Sequence, residues 1–343
     1  MRREPAVLLI ASLLCTAGVV GDLAARWTIL PLVDPSSSPE PPAVRIVEVS
    51  EGTTFRQLSA LLENERLIAS QWGFEILGRL TWADRRILAG EYALHAGMRP
   101  TEILRELRTG HVVQYPVTIP EGYTVAQIAD LLEQKGLADK AEFLGLAHDR
   151  HLIRALGLDV PSLEGYLFPN TYHVPRHATG KEIISAMVTD LWQAFTPALR
   201  ARARDVNMSV HQILTLASVI ERETSVDGER ELISAVFHNR LRRKIPLQSD
   251  PTVIYGLKSY DGNLRKRDLA VASPYNTYRV RGLPPGPIAN PGARSIRAAL
   301  FPAPTTFLYF VSRNDGTHVF SSTLEEHNRA VNKYQRRPAR RLS

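Results

Sequence analysis

A run of residues near the middle of the chain places an acidic side chain where it can exchange a proton. Apolar residues recur there at i, i+3, i+4 and i+7, which is typical of an amphipathic helix with one buried stripe: Ile213, Leu216, Ala217 and Ile220. Glu221 is the next residue on that stripe. Burial disfavours a charged carboxyl group, so we expect Glu221 to hold a proton near neutral pH and to serve as a general acid. The alternative is an ordinary ion pair at the edge of the stripe.

Other reactive combinations are weak. The only cysteine, Cys15, lies in an apolar N-terminal segment, which excludes a disulfide framework and a cysteine-based metal site. His148 and His151 have no further ligands nearby, so a solvated helix face explains them better than a metal. Ser249 and Asp250 lack a suitably spaced histidine for a hydrolase triad, and no glycine-rich phosphate loop is present. The sequence predicts neither a metal nor a cofactor.

The composition is that of a globular protein with a basic surface. The 343 residues are 44% hydrophobic and 22% charged, which suits two domains with attachments. The net charge of +7 favours polyanionic partners such as nucleic acid, anionic lipid or an acidic wall polymer. No zinc-finger, homeodomain or RNA-recognition signature accompanies the basic residues, so nucleic acid is disfavoured.

The N-terminus predicts a membrane anchor. Arg2 and Arg3 precede an apolar run over residues 6–21, and apolar character continues to Val33. We interpret residues 1–33 as a cytoplasmic tail and a transmembrane signal-anchor, with everything after it outside the cytoplasm. A cleaved signal peptide is the alternative, because Leu23-Ala-Ala25 weakly resembles a cleavage site.

Two short segments are predicted to be solvent-exposed and without a packed core. Residues 34–43, rich in proline and serine, predict a semi-rigid linker. Residues 337–343 predict a basic tail, with contact to anionic lipid or wall polymer as the lesser alternative.

Residues 44–115 predict a small α/β domain. We expect strands at 44–49, 90–94 and 112–119, and helices after Thr53 or Thr54 and over residues 99–108. This order resembles LysM, a sugar-binding module; the alternative is a structural domain with no ligand. A similar turn and helix recur seventy positions later, where Glu121-Gly-Tyr-Thr124 repeats Glu51-Gly-Thr-Thr54, and we interpret the two copies as related α+β pieces rather than as a catalytic device.

From about Ser162, segments rich in glycine, proline, asparagine and tyrosine separate the helices. Such loops are pre-ordered and offer stacking faces and hydrogen bonds suited to a sugar chain. In one of them Asp250 is expected to cap a helix and Pro251 to start it.

Seven motifs from this part of the chain occur together, in order: Glu-Gly-Tyr-Leu-Phe-Pro (164–169), Ala-Ser-Val-Ile-Glu-Arg-Glu-Thr (217–224), Phe-His-Asn-Arg-Leu (237–241), Leu-Gln-Ser-Asp-Pro-Thr-Val-Ile-Tyr-Gly (247–256), Ser-Pro-Tyr-Asn-Thr-Tyr (273–278), Gly-Leu-Pro-Pro-Gly-Pro-Ile-Ala-Asn-Pro-Gly (282–292) and Phe-Ser-Ser-Thr-Leu-Glu-Glu-His-Asn (320–328). Together they resemble the YceG-like family, the endolytic murein transglycosylases also called MltG. The resemblance covers about residues 44–336. Family members often carry Asp where this chain has Asn170, so Asn170 receives no catalytic role.

The resemblance implies a lyase that cuts the β-1,4 bond between N-acetylmuramic acid and N-acetylglucosamine inside glycan strands, without water. The catalytic glutamate of the family falls on Glu221, which would protonate the glycosidic oxygen and then deprotonate the C6 hydroxyl as a 1,6-anhydro ring closes. An ordinary glycosidase needs two carboxylates. If the enzyme is instead a hydrolytic muramidase, Glu164 and Glu223 are the best candidates for the second. A non-catalytic wall-binding or scaffold protein is the alternative from another class.

The motifs also supply candidate substrate-binding residues: Gln248, Asp250, Thr252, Tyr255, Tyr275, Asn276 and Asn290. Arg240 is expected to pair with an acid such as Glu223. The fold class we predict is α+β, with a membrane anchor, a small LysM-like domain over 44–115 and a larger mixed α+β catalytic domain over 116–336. The resemblance further implies a single-pass inner-membrane protein that ends nascent glycan strands near peptidoglycan synthases.

Overall fold

The computed structural model describes residues 30–33 and 42–335, a mixed α+β protein. The predicted anchor (residues 1–29 of it), most of the linker (34–41) and the basic tail lie outside the described residues. Within the described ranges, no helix has the length and apolar character needed to cross a bilayer. The chain divides into two compact units, with one boundary between Tyr115 and Pro116.

The first unit comprises the described residues up to Tyr115 together with His173–His177. Its elements in order are β1 (Arg45–Val49), α1 (Phe55–Asn64), α2 (Gln71–Leu80), a short 3-10 helix (Ala83–Arg85), β2 (Gly90–Leu94) and α3 (Pro100–Thr109). The strands β1 and β2 pair antiparallel, with Arg45 opposite Leu94 and Val49 opposite Gly90. Alternate strand residues face a core completed by the helices: Val47, Val49, Tyr92, Leu94, Leu58, Leu62, Phe74, Ile103 and Leu107.

Helix α2 is not among the elements predicted from the sequence. Gly73 and Gly78 lower its helix propensity, and exposed Trp72 and Leu80 blur its apolar stripe. Packing explains one glycine, because a Cβ atom on Gly78 would lie 2.3 Å from the Phe55 ring. The helix forms because its buried side fits the core.

The second unit holds Pro116–Tyr172 and the described residues from Ala178 onward. The remaining strands and α-helices are β3 (Gln114–Thr118), α4 (Val125–Gln134), α5 (Lys140–Ala147), α6 (Arg150–Ala155), β4 (Thr171–Pro175), α7 (Gly180–Ala194), α8 (Pro197–Asp205), α9 (Val210–Glu223), α10 (Arg230–Arg242), α11 (Asp250–Gly256), α12 (Ala293–Leu300), β5 (Tyr309–Ser312), β6 (His318–Ser321) and α13 (Leu324–Tyr334). β3 pairs with β4, and β5 pairs antiparallel with β6. The division falls within β3 and β4.

Helix α9 is the centre of the second unit and packs against α12 and α10. Every residue from Ile213 to Ile220 is buried, so the prediction of a single buried stripe was too narrow. The two polar residues of this stretch bond inside the protein: the Thr215 hydroxyl donates to the His211 carbonyl oxygen at 2.7 Å, and the Ser218 hydroxyl accepts the Ile288 N–H at 3.0 Å. A helix surrounded on all sides holds the residues at its end in fixed positions.

The repeated turn has the same local design in both copies. Thr54 caps α1 and Thr124 caps α4, each in a reciprocal capping box with a glutamine three residues later. Gly52 and Gly122 precede them at φ of 79° and 78°, a conformation that favours glycine. The predicted echo of strand, capped turn and helix is therefore confirmed.

Candidate active site

Glu221 lies in the last turn of α9, with its side chain only 6% exposed. One carboxyl oxygen accepts a hydrogen bond from Arg230 Nη2 at 3.2 Å, and the other accepts the Gly292 backbone N–H at 3.0 Å. Arg230 begins α10, and Gly292 caps the N-terminus of α12, where free N–H groups favour an anion. The Glu221 carboxyl group is therefore held between a cationic side chain and the N-terminus of a helix.

Glu221 is the first of five charged residues whose side chains alternate in sign. We call this set the charge network: Glu221, Arg230, Asp227, Arg294 and Glu121. Arg230 contacts both Glu221 and Asp227. Asp227 also contacts Arg294, whose Nη2 lies 4.0 Å from a carboxyl oxygen of Glu121. The network thus begins and ends on a glutamate, and two cations separate its three acids.

Glu121 is the second carboxyl group at this site, and it is not among the site residues predicted from the sequence. A Cβ atom placed on Gly292 would lie 2.0 Å from Glu121 Oε1, so the carboxyl group occupies space that only a glycine leaves open. Burial and the negative charge of Glu221 raise the pKa of Glu121, against the opposing charges of Arg294 and Arg230. The Glu121 and Glu221 carboxyl groups therefore approach Gly292 together. In the sequence, the repeated Glu-Gly-x-Thr turn marks the position of Glu121, but a repeated capped turn is typical of a structural element rather than of a catalytic one.

Backbone hydrogen bonds fix the turn that carries Glu121. The Gly122 N–H donates to the Asn290 carbonyl oxygen at 2.8 Å, and the Asn290 N–H donates to the Tyr123 carbonyl oxygen at 2.8 Å. Arg222 Nη1 donates to the Gly122 carbonyl oxygen at 3.4 Å. The turn is tied both to the loop before α12 and to the end of α9, so the two glutamates share one rigid surrounding.

Glu164 is buried in the same unit but serves the loops. Its carboxylate accepts the Val125 N–H at 3.1 Å, Asn290 Nδ2 at 3.2 Å and the Tyr255 hydroxyl at 3.3 Å. Burial raises the pKa of Glu164 to about 7, although its hydrogen bonds to Val125 and Tyr255 act in the opposite direction. This carboxyl group joins three segments of the second unit by hydrogen bonds.

The Glu223 carboxyl group accepts a hydrogen bond from the Ser249 hydroxyl. Burial raises the pKa of Glu223 to about 7, against the Ser249 hydrogen bond, and the Asp250 charge adds to the rise. Arg240 donates to the carbonyl oxygens of Leu308 at 2.7 Å and Leu247 at 2.8 Å and to Gln248 Oε1 at 3.2 Å, while its charge acts on Glu223 and opposes the rise of the Glu223 pKa. Glu164 and Glu223 stay candidates for a second carboxylate in a hydrolytic reaction, and Glu121 joins them as an acid that approaches the same glycine as Glu221.

Three of the seven predicted substrate-binding residues lie in the protein interior: Thr252, Asn276 and Asn290 are fully buried. The Thr252 hydroxyl donates to the Ser249 carbonyl oxygen at 2.7 Å, and Asn276 Nδ2 donates to the Leu269 and Val271 carbonyl oxygens. Asn290 bonds Glu164 and the Leu167 N–H. Their polar groups hold loops in place, and that use corrects the expectation that they line a cleft.

The other four candidates are more accessible. The rings of Tyr255 and Tyr275 lie 4.8 Å apart at a 58° tilt, and Gln248 and Asp250 are exposed. Asp250 does not cap α11; Ser249 holds the N-cap position, and the Asp250 carboxylate accepts the Tyr278 hydroxyl at 2.6 Å. Substrate binding by these four residues stays a prediction.

The asparagine at position 170 has a local explanation. Asn170 Nδ2 donates to an Asp190 carboxyl oxygen at 2.9 Å, and its own oxygen accepts the Thr171 N–H at 2.8 Å. An aspartate at position 170 would place a second negative charge beside Asp190. The amide at this position removes that repulsion.

The fold and the site together define a mixed α+β protein with a buried carboxyl group, a second carboxyl group beside it and basic residues between them. In the described part of the chain, no group of three or more histidine, cysteine or acidic residues is placed to hold a metal ion. The buried carboxyl group and its acidic neighbour define a class of proteins with a glutamate-based acid–base site.

The family model described as the YceG-like family matches residues 47–333, so the chain belongs to the YceG-like family. The chain is 34% identical over 304 residues to the endolytic murein transglycosylase of Bacillus subtilis (strain 168), with 84% of each protein covered. It is 30% identical over 318 residues to the endolytic murein transglycosylase of Streptococcus pneumoniae serotype 2 (strain D39), covering 83% of this chain but 57% of that protein. A crystal structure of a YceG-like protein from Listeria monocytogenes is similar at a TM-score of 0.58 and 34% identity, over 83% of this chain and 98% of that one.

Proposed function

We propose that this protein is an endolytic murein transglycosylase, a lyase that cuts the bond between N-acetylmuramic acid and N-acetylglucosamine within peptidoglycan strands. The family and the relatives with that name support the reaction class. The observation that carries the mechanism is the buried Glu221 carboxyl group beside Arg230 and Gly292, with the Glu121 carboxyl group also close to Gly292.

Glu221 is the acid and then the base. In its protonated form it gives a proton to the glycosidic oxygen as the bond from that oxygen to C1 of the muramic acid breaks. The C6 hydroxyl oxygen of the same sugar then bonds to C1, and its proton passes to the Glu221 carboxylate. The product carries a 1,6-anhydro ring, no water is consumed, and Glu221 regains its proton for the next cycle.

Glu121 and Arg230 set the charge around that cycle. Burial and the Glu221 charge raise the pKa of Glu121, so Glu121 keeps a proton more readily than an isolated glutamate does. Negative charge on the two carboxyl groups stabilises the positive charge that develops at C1 in the transition state. Arg230 holds the carboxylate form of Glu221 between proton transfers.

The finer features predicted from the sequence belong to the same proposal. The order β1-α1-α2-β2 with antiparallel strands supports a LysM-like domain over residues 44–115, next to a catalytic domain over 116–336. The basic tip and apolar run of residues 1–33 support a single-pass inner-membrane anchor with the enzyme outside the cytoplasm. Release of nascent strands near peptidoglycan synthases is the role that such an anchored endolytic enzyme would have.

Digestion of purified peptidoglycan by the detergent-solubilised full chain tests the reaction. We expect the wild type, but not Glu221→Gln, to yield muropeptides lighter by one water than hydrolysis products in mass spectra. Glu231→Gln, an exposed acid on α10, is the matched control and should behave as the wild type. Products with ordinary reducing ends would show a hydrolytic muramidase, and binding without cleavage by the wild type would show a scaffold protein.

A further inference from the structure

The first unit exposes large apolar side chains on and after helix α2. Trp72 and Leu80 are 66% and 75% exposed, and they lie on one side of the helix, about 12 Å apart along its axis. Trp82 and Leu88 follow, at 66% and 51% exposed. A concentration of such residues on one small unit marks an interaction surface, since isolated exposed apolar residues are normal but clusters are not.

A basic groove opens beside these residues. Its volume is about 350 Å³, and three arginines and three threonines line it: Arg86, Arg105, Arg108, Thr81, Thr101 and Thr109. No carboxylate is among its lining residues, although Glu106 lies 3.5 Å from Arg105 at the rim. Guanidinium and hydroxyl groups arranged in this way suit the oxygens of a phosphate.

The apolar and basic residues form one continuous surface. Thr81, which lines the groove, lies between Leu80 and Trp82 in the chain. Leu88 lies close to Gly110, where an added Cβ atom would be 2.7 Å from Leu88 Cδ1, and Gly110 directly follows the helix that carries Arg105 and Arg108. A ligand that fits this surface must offer phosphate and hydrocarbon side by side.

The chain leading to the proposed anchor starts from this unit. Residues 30–33 are held there by the Val33 N–H, which donates to the Ala96 carbonyl oxygen at 3.0 Å. The apolar run over residues 6–21 ends nine residues before Leu30 in the sequence. If that run spans the bilayer, as proposed above, the tether keeps the first unit within reach of the lipid headgroups.

We propose that this surface of the first unit, formed by the arginine groove with Leu80, Trp82 and Leu88 at its edge, docks on an anionic phospholipid bilayer. A lipid phosphate occupies the groove, and the apolar side chains enter the headgroup region, where tryptophan is favoured. Docking fixes the unit against the membrane rather than leaving it on a free tether. The inference depends on the proposed anchor for its geometry but has its own chemistry.

A fluorescent probe at the edge of the groove tests the docking in the full chain. Leu80→Cys, in a Cys15→Ser background, carries an environment-sensitive dye, and the protein is placed in nanodiscs of phosphatidylcholine with or without phosphatidylglycerol. We expect the dye emission to shift to the blue, and brominated lipid to quench it, only with phosphatidylglycerol. Replacing Arg86, Arg105 and Arg108 by glutamine should weaken docking roughly 100-fold, since each basic residue at an anionic surface contributes a factor of about five.

Two matched controls separate docking from general stickiness. Leu324→Cys carries the same dye at a 55% exposed leucine of the second unit and should show no shift. A second control replaces three exposed basic residues of the second unit by glutamine: Lys135, Arg150 and Arg154. This variant should leave the fluorescence of the dye at position 80 unchanged. Thermal unfolding of each variant checks that the fold is intact.

The remaining outcomes distinguish the anchor from the docking surface. If the full chain floats with phosphatidylcholine vesicles but the dye ignores phosphatidylglycerol, the anchor stands and the docking surface is overturned. If the chain does not float and yet the dye responds to phosphatidylglycerol, the docking surface stands without the anchor. An equal, arginine-dependent response to glycerol phosphate without lipid would make the groove a site for a small anion and would overturn membrane docking.

Discussion

At the scale of single residues, two carboxyl groups meet at Gly292. Removing the charge of Glu121 should remove the repulsion that helps the pair to keep a proton. We expect Glu121→Gln to shift the alkaline limb of the pH–activity profile to lower pH and to lower kcat. The shift is measured by the release of anhydro-muropeptides across pH, with Glu231→Gln as the control. An unchanged profile with lower activity would limit Glu121 to holding the turn.

Gly292 is the second test at this scale. In Gly292→Ala the new Cβ atom would lie 2.0 Å from Glu121 Oε1, while the backbone N–H that Glu221 accepts remains. Glu121 must swing away, and we expect activity to fall about 10- to 100-fold, because small displacements at a reacting centre are costly. Gly145→Ala, where the added atom meets nothing within 4 Å, should leave activity unchanged. Steady-state cleavage assays measure both, and equal losses would contradict the local explanation.

At the scale of elements, helix α9 depends on the loop that precedes α12. The Ser218 hydroxyl accepts the buried Ile288 N–H, so Ser218→Ala leaves that donor without its partner. We expect a loss of about 1–3 kcal/mol in the free energy of unfolding, measured with urea. Ser185→Ala in α7 removes only a hydroxyl that bonds to the preceding turn and should change stability by less than about 0.5 kcal/mol. Similar losses in both variants would exclude a special role for Ser218.

Local chemistry explains what could be predicted from the sequence. A capping threonine with a glutamine three residues later marks the start of both α1 and α4. The apolar spacing of α9 places Glu221 at the end of that helix. Long-range contacts could not be predicted in this way. Glu121 lies a hundred positions from Glu221, and neither its packing on Gly292 nor the contact of Arg230 with Glu221 leaves a periodic signal. A sequence motif shows that residues occur together, but it does not show which of them are exposed. The burial of three predicted substrate-binding residues therefore could not be predicted: Thr252, Asn276 and Asn290.

At the scale of the whole molecule, the buried Glu164 makes stability depend on pH. Its folded pKa, about 7, lies above the unfolded value near 4.5, so the folded state holds more protons between those values. Stability from this group is therefore full below about pH 4.5 and falls as pH rises towards 7, by about 3 kcal/mol at most. We expect Glu164→Gln to flatten the pH dependence of urea unfolding between pH 5 and 8 relative to an exposed control, Glu325→Gln. Parallel curves would contradict this assignment.

The division of the chain also predicts where it can be shortened. β3 starts at Gln114 and pairs with β4, but the second unit begins at Pro116, so a fragment cut at the division loses two residues of the strand. We expect a fragment that starts at Val112 to unfold at a higher temperature than one that starts at Pro116. Thermal unfolding by circular dichroism measures the difference. A fragment from Val112 with Gln114 changed to proline is the control and should lose the gain, because proline cannot donate to a strand partner.

The membership of His173–His177 in the first unit matters for a chain made from one end to the other. Residues up to Tyr115 leave the ribosome while the piece that completes their unit has not been synthesised. Helices α4, α5 and α6 of the second unit emerge in that interval. The newborn protein therefore cannot finish the first unit before it starts the second, and the first unit is complete only once β4 has appeared.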